Sequence, residues 1–146
     1  MDFIIIGAQK SGTTSLAKYL DESTEIFIPK EKELPFFLHD RMKKNGLSWF
    51  IEKYFDQSNY QQLKGTSTPQ YASHPEVFKD IYFSFPHVKL IFILRDPIDR
   101  LVSHYNMARR SGVEVDEINK VIEDQFDNLD SYRKCLFSDE NSNKKY

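Results

Sequence analysis

Apolar residues form short uninterrupted runs along the chain. These runs alternate with longer segments in which apolar and polar residues are mixed. Residues 3–6 are Phe-Ile-Ile-Ile and are followed by a glycine, a pattern typical of a strand buried on both faces of a parallel sheet. Residues 88–94 predict a second strand of this kind. We also expect an extended piece over 26–28 and a strand with a terminal turn over 63–71, because Pro69 is excluded from the interior of a central strand.

The segments between these runs place apolar residues every three or four positions, which is the period of an amphipathic helix. This spacing predicts helices over 14–21, 47–55, 75–85, 97–111 and 115–129. Residues 29–40 lack such a period and are interpreted as a loop. The alternation of strands and helices predicts an α/β fold, with a parallel β-sheet flanked by helices.

Length and charge limit the class of protein. The 146 residues fit one domain, which we expect over 1–137, followed by a polar tail over 138–146. The formal net charge of -2 implies no general attraction to nucleic acid or to an anionic membrane. The single cysteine, Cys135, forms no internal disulfide and has no metal-ligand spacing around it. The sequence shows no membrane span or signal peptide, so we expect a cytoplasmic protein.

The segment GAQKSGTT, residues 7–14, follows the first strand and opens the first helix. A loop in this position binds anions, because the first backbone N–H groups of a helix lack partners and the helix dipole favours negative charge there. Loops that bind nucleoside triphosphates have a lysine after the second glycine, where this chain has Thr13. Its lysine, Lys10, lies inside the loop. The alternative to a binding site is a plain strand-to-helix turn with a solvated lysine.

With its lysine in that place, GAQKSGTTSL resembles the 5′-phosphosulfate loop of the sulfotransferases that use 3′-phosphoadenosine 5′-phosphosulfate (PAPS). The segment LIFILRDPIDRLVSHY, residues 90–105, resembles the part of those enzymes that holds the 3′-phosphate of the donor. Arg95 also follows what the pattern predicts to be a central strand, and open α/β sheets bind ligands at that end. The resemblance implies that PAPS, or its product PAP, binds to Gly7, Lys10, Ser11, Gly12, Thr13, Thr14, Arg95 and Ser103.

The segment KEKELPFF, residues 30–37, resembles a part of the carbohydrate sulfotransferases in which a glutamate precedes a pair of aromatic residues. The resemblance implies that Glu33 is the general base. Spacing alone leaves Glu31 and His39 open, as well as a solvated acidic loop. Two positions depart from the family. Ser15 stands where cytosolic aryl and steroid enzymes usually have Trp, and Ser67 where carbohydrate enzymes often have Lys.

The resemblance covers residues 3 to about 111 and implies a P-loop-like sulfotransferase fold that is incomplete towards its C-terminal end. It implies transfer of a sulfuryl group from PAPS to a hydroxyl or amine of a small-molecule or carbohydrate acceptor. Lys10 and Glu33 would be catalytic, and no metal is expected. The alternatives are a non-catalytic remnant that binds PAP or PAPS and a kinase that uses nucleoside triphosphates. Missing core would favour a homo-oligomer, and neither nucleic acid nor membrane is an expected partner.

Overall fold

The structure, a computed structural model, describes residues 1–59 and 62–131. The chain divides into two compact units, Met1–Asp96 and Pro97–Tyr146. The expectation of one domain over 1–137 therefore stays a prediction. The expected polar tail over 138–146 and the cysteine Cys135 lie outside the described residues.

One sheet of four parallel strands organises the first unit. The strands are β1 (Phe3–Gly7), β2 (Ile26–Phe27), β3 (Leu63–Ser67) and β4 (Lys89–Phe92), in the order β2-β3-β1-β4. All of β1 is buried, as expected for a strand with a neighbour on each side and side chains packed on both faces. The predicted α/β fold with a parallel sheet is confirmed.

Helices make up most of the remaining described chain. In the first unit they are α1 (Thr13–Asp21), α2 (Asp40–Lys43), α3 (Gly46–Phe55) and α4 (Val77–Ser84), with two 3-10 helices, Phe36–Leu38 and Pro69–Ser73. In the second unit they are α5 (Pro97–Arg110) and α6 (Ile118–Asp127). The bounds of α1, α3, α4, α5 and α6 agree with the predicted helices to within three residues at each end.

Two hydrophobic clusters cover the two faces of the sheet, because successive residues of a strand point to opposite sides. Ile4 and Ile6 belong to the larger cluster, and Phe3 and Ile5 to the smaller one. The larger cluster also contains Leu34, Phe36, Phe37, Phe50, Phe55, Tyr71, Val77 and Ile81. Residues 34–37 are thus fixed in the core, and they directly follow the predicted base Glu33.

The strand with a terminal turn predicted over 63–71 is confirmed, since β3 ends at Ser67 and the chain turns into a 3-10 helix that begins at Pro69. Two other expectations about individual elements are wrong. Residues 29–40 are not all loop, since the buried aromatic pair forms the 3-10 helix Phe36–Leu38. The strand before Arg95 is at the edge of the sheet among the described residues, not at its centre. Its apolar residues resemble those of a buried strand, but Leu90 is 45% exposed and Phe92 49% exposed.

Candidate active site

The loop between β1 and α1 is shaped by two glycines. Gly7 has a φ of +152°, and a Cβ at this residue would lie 2.6 Å from the Cβ of Ala72 and 3.2 Å from the carbonyl oxygen of Pro69. Glycine is therefore required where the loop leaves β1 and passes the 3-10 helix Pro69–Ser73. Gly12 has a φ of +94° and is the N-cap of α1. Its left-handed conformation turns the chain from the loop into the helix.

The start of α1 has the properties of an anion site. Within the described part of the chain, no side chain caps this helix, and its first turn contains no acidic residue. Thr13 is buried and Thr14 is exposed. The hydroxyl oxygen of Ser11 is buried, and no described residue gives it a hydrogen-bond partner. These features suit a phosphate, which accepts hydrogen bonds from hydroxyl and backbone N–H donors at a positive helix end.

Lys10 has a conformation that is unusual for its residue type. Its φ of 67° lies in the left-handed region, which costs a non-glycine residue on the order of 1 kcal/mol. Such conformations are frequent at binding and catalytic sites. The Nη1 atom of Arg95 donates a hydrogen bond to the carbonyl oxygen of Lys10 over 3.2 Å. The structure therefore brings these two predicted donor-binding residues together.

Glu33 is held by hydrogen bonds on both of its carboxylate oxygens. The Nζ atom of Lys32 donates to Oε1 over 3.0 Å, and the Nε2 atom of Gln70 donates to Oε2 over 3.0 Å. Glu33 is half-buried, with 40% of its side chain exposed. The two other candidates for the base, Glu31 and His39, are both exposed. His39 directly precedes α2.

Lys32 also connects this glutamate to the phosphate-type loop. Its Nζ atom donates a second hydrogen bond to the Oγ1 atom of Thr14 in the first turn of α1, over 3.0 Å. One ammonium group thus joins the predicted base to the start of the helix. Glu33 and the predicted donor loop consequently lie at the same end of the sheet.

The segment that contains Glu33 is fastened to the chain that follows β3. The N–H of Leu34 donates to Oγ1 of Thr68 over 3.0 Å. The hydroxyl of Tyr71 donates to the carbonyl oxygen of Leu34 over 2.6 Å and accepts from the N–H of Phe37 over 3.4 Å. Burial raises the pKa of Tyr71 well above its usual range. This tyrosine therefore stays protonated and keeps its hydrogen bond to Leu34.

Two further positions singled out from the sequence, Ser103 and Ser67, lie on α5 and at the end of β3. Ser103 lies on α5 in the second unit and is half-buried. Ser67, at the end of β3, is fully buried, and its N–H donates to the carbonyl oxygen of Lys32 over 2.9 Å. Within the described residues, no group of three His, Cys, Asp or Glu residues is arranged to hold a metal ion.

Sequence reasoning missed three residues of this site: Lys32, Gln70 and Tyr71. A lysine among other charged residues, as in KEKE, is usually solvated, so its pattern gave no signal. The segment TPQY offered a partial signal, because its polar residues follow a strand at the end where α/β sheets bind ligands. The hydrogen bonds of Gln70 and Tyr71 to a segment about 37 residues away depend on tertiary structure and have no local pattern.

The described residues form a parallel sheet whose first strand runs through a glycine-rich loop into a helix without a side-chain cap, which defines an α/β protein with a candidate phosphate-binding loop. Residues 1–139 match the Sulfotransferase domain family. The chain therefore belongs to the sulfotransferase domain family, as the resemblance in its sequence implied.

Several relatives align with a little under three quarters of this chain. It is 36% identical over 110 residues to "Membrane-associated sulfotransferase kil1" of Dictyostelium discoideum, covering 73% of this chain and 23% of that protein. It is 32% identical over 105 residues to "Heparan sulfate glucosamine 3-O-sulfotransferase 5" of Mus musculus, covering 72% and 30%. It is 30% identical over 109 residues to "Bifunctional heparan sulfate N-deacetylase/N-sulfotransferase 1" of Caenorhabditis briggsae, covering 71% and 12%.

A solved structure has the same fold. The chain superposes on a sulfotransferase from Alicyclobacillus acidocaldarius with a TM-score of 0.74 and 24% identity, covering 97% of this chain and 63% of that one. This likeness confirms the sulfotransferase fold. The chain spans less than a third of the length of the three relatives named above.

The expectation of a cytoplasmic protein is wrong. It depended on composition and on the lack of a targeting segment, whereas a relative that is 36% identical is named as membrane-associated. The expectation that no membrane is a partner loses its support for the same reason. None of the helices within residues 1–59 and 62–131 combines the length and the apolar character needed to cross a bilayer.

Proposed function

We propose that this chain takes part in the transfer of a sulfuryl group from PAPS to a hydroxyl or amine of a carbohydrate acceptor. The observation that supports this most directly is the hydrogen-bonded chain from Thr14 through Lys32 to Glu33. It joins a candidate anion site to a candidate base, and a transfer reaction needs both next to each other. Family membership supports PAPS as the donor.

The donor would be held mainly by the loop. The backbone N–H groups at the start of α1 and the hydroxyls of Ser11, Thr13 and Thr14 would bind its 5′-phosphate, since this helix end is uncapped within the described residues. Gly7 and Gly12 would allow the close approach of the backbone. This reading also gives the buried hydroxyl of Ser11 a hydrogen-bond partner.

Arg95 and Ser103 would hold the 3′-phosphate, which distinguishes this donor from common nucleotides. Arg95 has the planar guanidinium that suits a phosphate, and its contact with Lys10 orients it towards the loop. Ser103 is proposed from its position in the sequence segment 90–105. No residue in the described ranges is needed to hold a metal in this scheme.

The transfer step requires charge stabilisation and a base. Lys10 would neutralise the negative charge that grows on the oxygen between phosphate and sulfate as that bond breaks. Glu33 would accept the proton of the acceptor hydroxyl or amine as it attacks the sulfur. The sulfuryl group passes to the acceptor oxygen or nitrogen, and PAP leaves. Positioning and electrostatics dominate such a transfer, as they do in phosphoryl transfer.

The carbohydrate acceptor is proposed from the relatives, two of which are named as heparan sulfate sulfotransferases. We also propose that the chain self-associates through its exposed apolar surface, which includes Leu90 and Phe92 of β4. Light scattering after size-exclusion chromatography would measure the mass, and a monomer at all concentrations would contradict association.

Incubation with PAPS and a panel of acceptors tests the function. The panel contains heparan sulfate, its N-deacetylated form, simple sugars and a phenol, and PAP release is measured with and without each acceptor. We expect PAP to be released faster when a carbohydrate acceptor is present. Binding of PAP without turnover of any acceptor would indicate a non-catalytic protein, and failure to bind PAP would overturn the proposal.

A further inference from the structure

We propose that Lys32 is a positioning residue, which fixes the carboxylate of Glu33 relative to the start of α1. This inference rests on the proposed function, in which Glu33 is the base and α1 holds the donor. Lys32 contacts neither PAPS nor acceptor in this scheme. It acts through the residues on either side of it.

The position of Lys32 is fixed at its backbone. Its carbonyl oxygen accepts hydrogen bonds from the N–H of Ser67 over 2.9 Å and from Oγ1 of Thr66 over 2.5 Å. Thr66 and Ser67 are both buried in β3, an inner strand that pairs with β1. The backbone of Lys32 is therefore fixed to β3, which limits the region that its ammonium group can reach.

The ammonium group is shared between two acceptors at equal distance. Its Nζ atom lies 3.0 Å from Oγ1 of Thr14 and 3.0 Å from Oε1 of Glu33, and 30% of the lysine side chain is exposed. An ammonium group only donates, so Thr14 must accept from it. The hydroxyl proton of Thr14 then points away from Lys32 and is free for a donor phosphate. One contact thus orients both a donor-binding hydroxyl and the base.

Gln70 completes the restraint on the other carboxylate oxygen. Its Nε2 atom donates to Oε2 of Glu33 over 3.0 Å, and it lies in the 3-10 helix that begins at Pro69. Each carboxylate oxygen has two acceptor positions. Lys32 and Gln70 occupy one on each oxygen, so an acceptor position remains for the substrate proton while the plane of the carboxylate is fixed.

The inferred role differs from that of a stabilising ion pair. An ion pair whose side chains are 30% and 40% exposed contributes little to folding stability, so loss of Lys32 should hardly change the melting temperature. Loss of orientation at a reacting group is more severe, since a displacement of about 1 Å can reduce a rate on the order of a hundredfold. The inference therefore predicts a large change in turnover without a comparable change in melting temperature.

Four variants test the inference: Lys32→Met, Lys32→Arg, Gln70→Ala and the control Lys30→Met. Lys30 is an exposed lysine of the same segment. For Lys32→Met we expect kcat to fall on the order of 10- to 100-fold, while KM for the acceptor and Kd for PAP change less than about threefold. We expect Lys32→Arg to recover much of kcat, Gln70→Ala to lower it less than Lys32→Met does, and Lys30→Met to behave as the unmodified chain.

The outcomes separate this inference from the proposed function. An active chain whose kcat is unchanged in Lys32→Met overturns the inference alone. A parallel loss of kcat and PAP affinity also overturns it, because Lys32 would then bind the donor. A fall in melting temperature that accounts for the lost activity, without recovery in Lys32→Arg, indicates a structural residue. An unmodified chain that turns over no acceptor overturns the proposed function together with this inference.

Discussion

The guanidinium of Arg95 donates a hydrogen bond to the backbone carbonyl of Lys10 across 85 positions of sequence, over 3.2 Å. β1 and β4 are neighbours in the sheet, so the segments that follow them emerge side by side. The two segments proposed to hold opposite ends of one nucleotide are thereby brought together. The contact also helps to hold Lys10 in its left-handed conformation, since it fixes the peptide that follows it.

Nucleotide selectivity is the first prediction. PAP should raise the melting temperature of the chain far more than ATP with magnesium does, because Lys10 lies inside the loop and Arg95 adjoins it. PAP at about a hundred times its dissociation constant should add roughly 2.7 kcal/mol to the free energy of unfolding. Differential scanning fluorimetry measures both shifts, and adenosine serves as a ligand without phosphates. Equal stabilisation by PAP and ATP would contradict the proposed donor.

Removal of the Arg95 guanidinium should weaken binding of the 3′-phosphate of the donor and leave binding of its 5′-phosphate nearly unchanged. Arg95→Ala should weaken the binding of PAP by roughly 1.5–3 kcal/mol, the value of a charge-assisted hydrogen bond. It should weaken the binding of adenosine 5′-phosphate much less, since that nucleotide lacks the 3′-phosphate. Isothermal titration of both ligands gives the difference. Arg41→Ala, at an exposed arginine of α2, is the control. Equal weakening of both ligands would make Arg95 a structural residue.

Lys10 and Glu33 should affect turnover more than binding. Lys10→Ala should lower kcat more than it raises the Kd of PAP, because PAP lacks the sulfate and the charge that Lys10 meets develops only during transfer. Glu33→Gln keeps the shape of the side chain and should lower kcat roughly a hundredfold or more, as expected for a lost general base. Steady-state turnover and PAP titration measure the two effects.

Glu31→Gln is the matched control for Glu33, since the exposed Glu31 lies two residues away in the same segment. It should leave turnover nearly unchanged. Full activity of Glu33→Gln would instead move the base to Glu31, to His39 or to the substrate.

Much of the fold could be predicted because its strands and helices have strong local patterns. The run Phe-Ile-Ile-Ile predicted β1 correctly, and its burial on both faces follows from the neighbours that the sheet supplies. β4 has the same kind of pattern, yet it lies at the edge among the described residues. Sheet order is set by tertiary pairing, which the composition of a strand does not record. An edge position therefore could not be predicted from residues 88–94.

The candidate site could likewise be predicted where its residues are contiguous in the sequence, and not where they come from distant segments. The loop residues from Gly7 to Thr14 are contiguous, so their spacing alone indicated an anion site. Glu33 could be distinguished from Glu31 only by resemblance, and its two hydrogen-bond partners were missed. Lys32 precedes it directly and looked like a solvated charge, whereas Gln70 reaches it from beyond β3. Contacts between distant segments leave no periodic signal.

Gly65 should tolerate no larger residue. It lies opposite Phe3 in the pairing of β1 with β3, and a Cβ at this position would overlap the ring of Phe3. Because Phe3 and its neighbours form the smaller core cluster, Gly65→Ala should destabilise the chain by about 1–3 kcal/mol, as overpacking does. Denaturant unfolding measures the change. Gly65→Ala with Phe3→Leu should recover part of the loss, and Gly65→Ala without any loss would contradict this packing.

Alkaline pH should destabilise the chain through Tyr71. The buried hydroxyl has a pKa raised above its usual value of about 10, so above pH 10 the unfolded state loses this proton while the folded state keeps it. Unfolding then releases a proton, and the free energy of unfolding falls by up to about 1.4 kcal/mol per pH unit from this residue alone. The contribution is fully present below pH 10 and is lost as pH rises towards the folded pKa.

Tyr71→Phe isolates this contribution, because it removes the hydroxyl that donates to Leu34 over 2.6 Å and keeps the ring in the core. At neutral pH we expect the variant to be about 1–3 kcal/mol less stable, since Leu34 loses its shorter hydrogen bond. Denaturant unfolding between pH 8 and 11 should show the two stabilities converging as pH rises, because the variant has no phenol to ionise at this position. A constant difference across that range would mean that Tyr71 ionises equally easily in both states, and that its burial does not secure the segment next to Glu33.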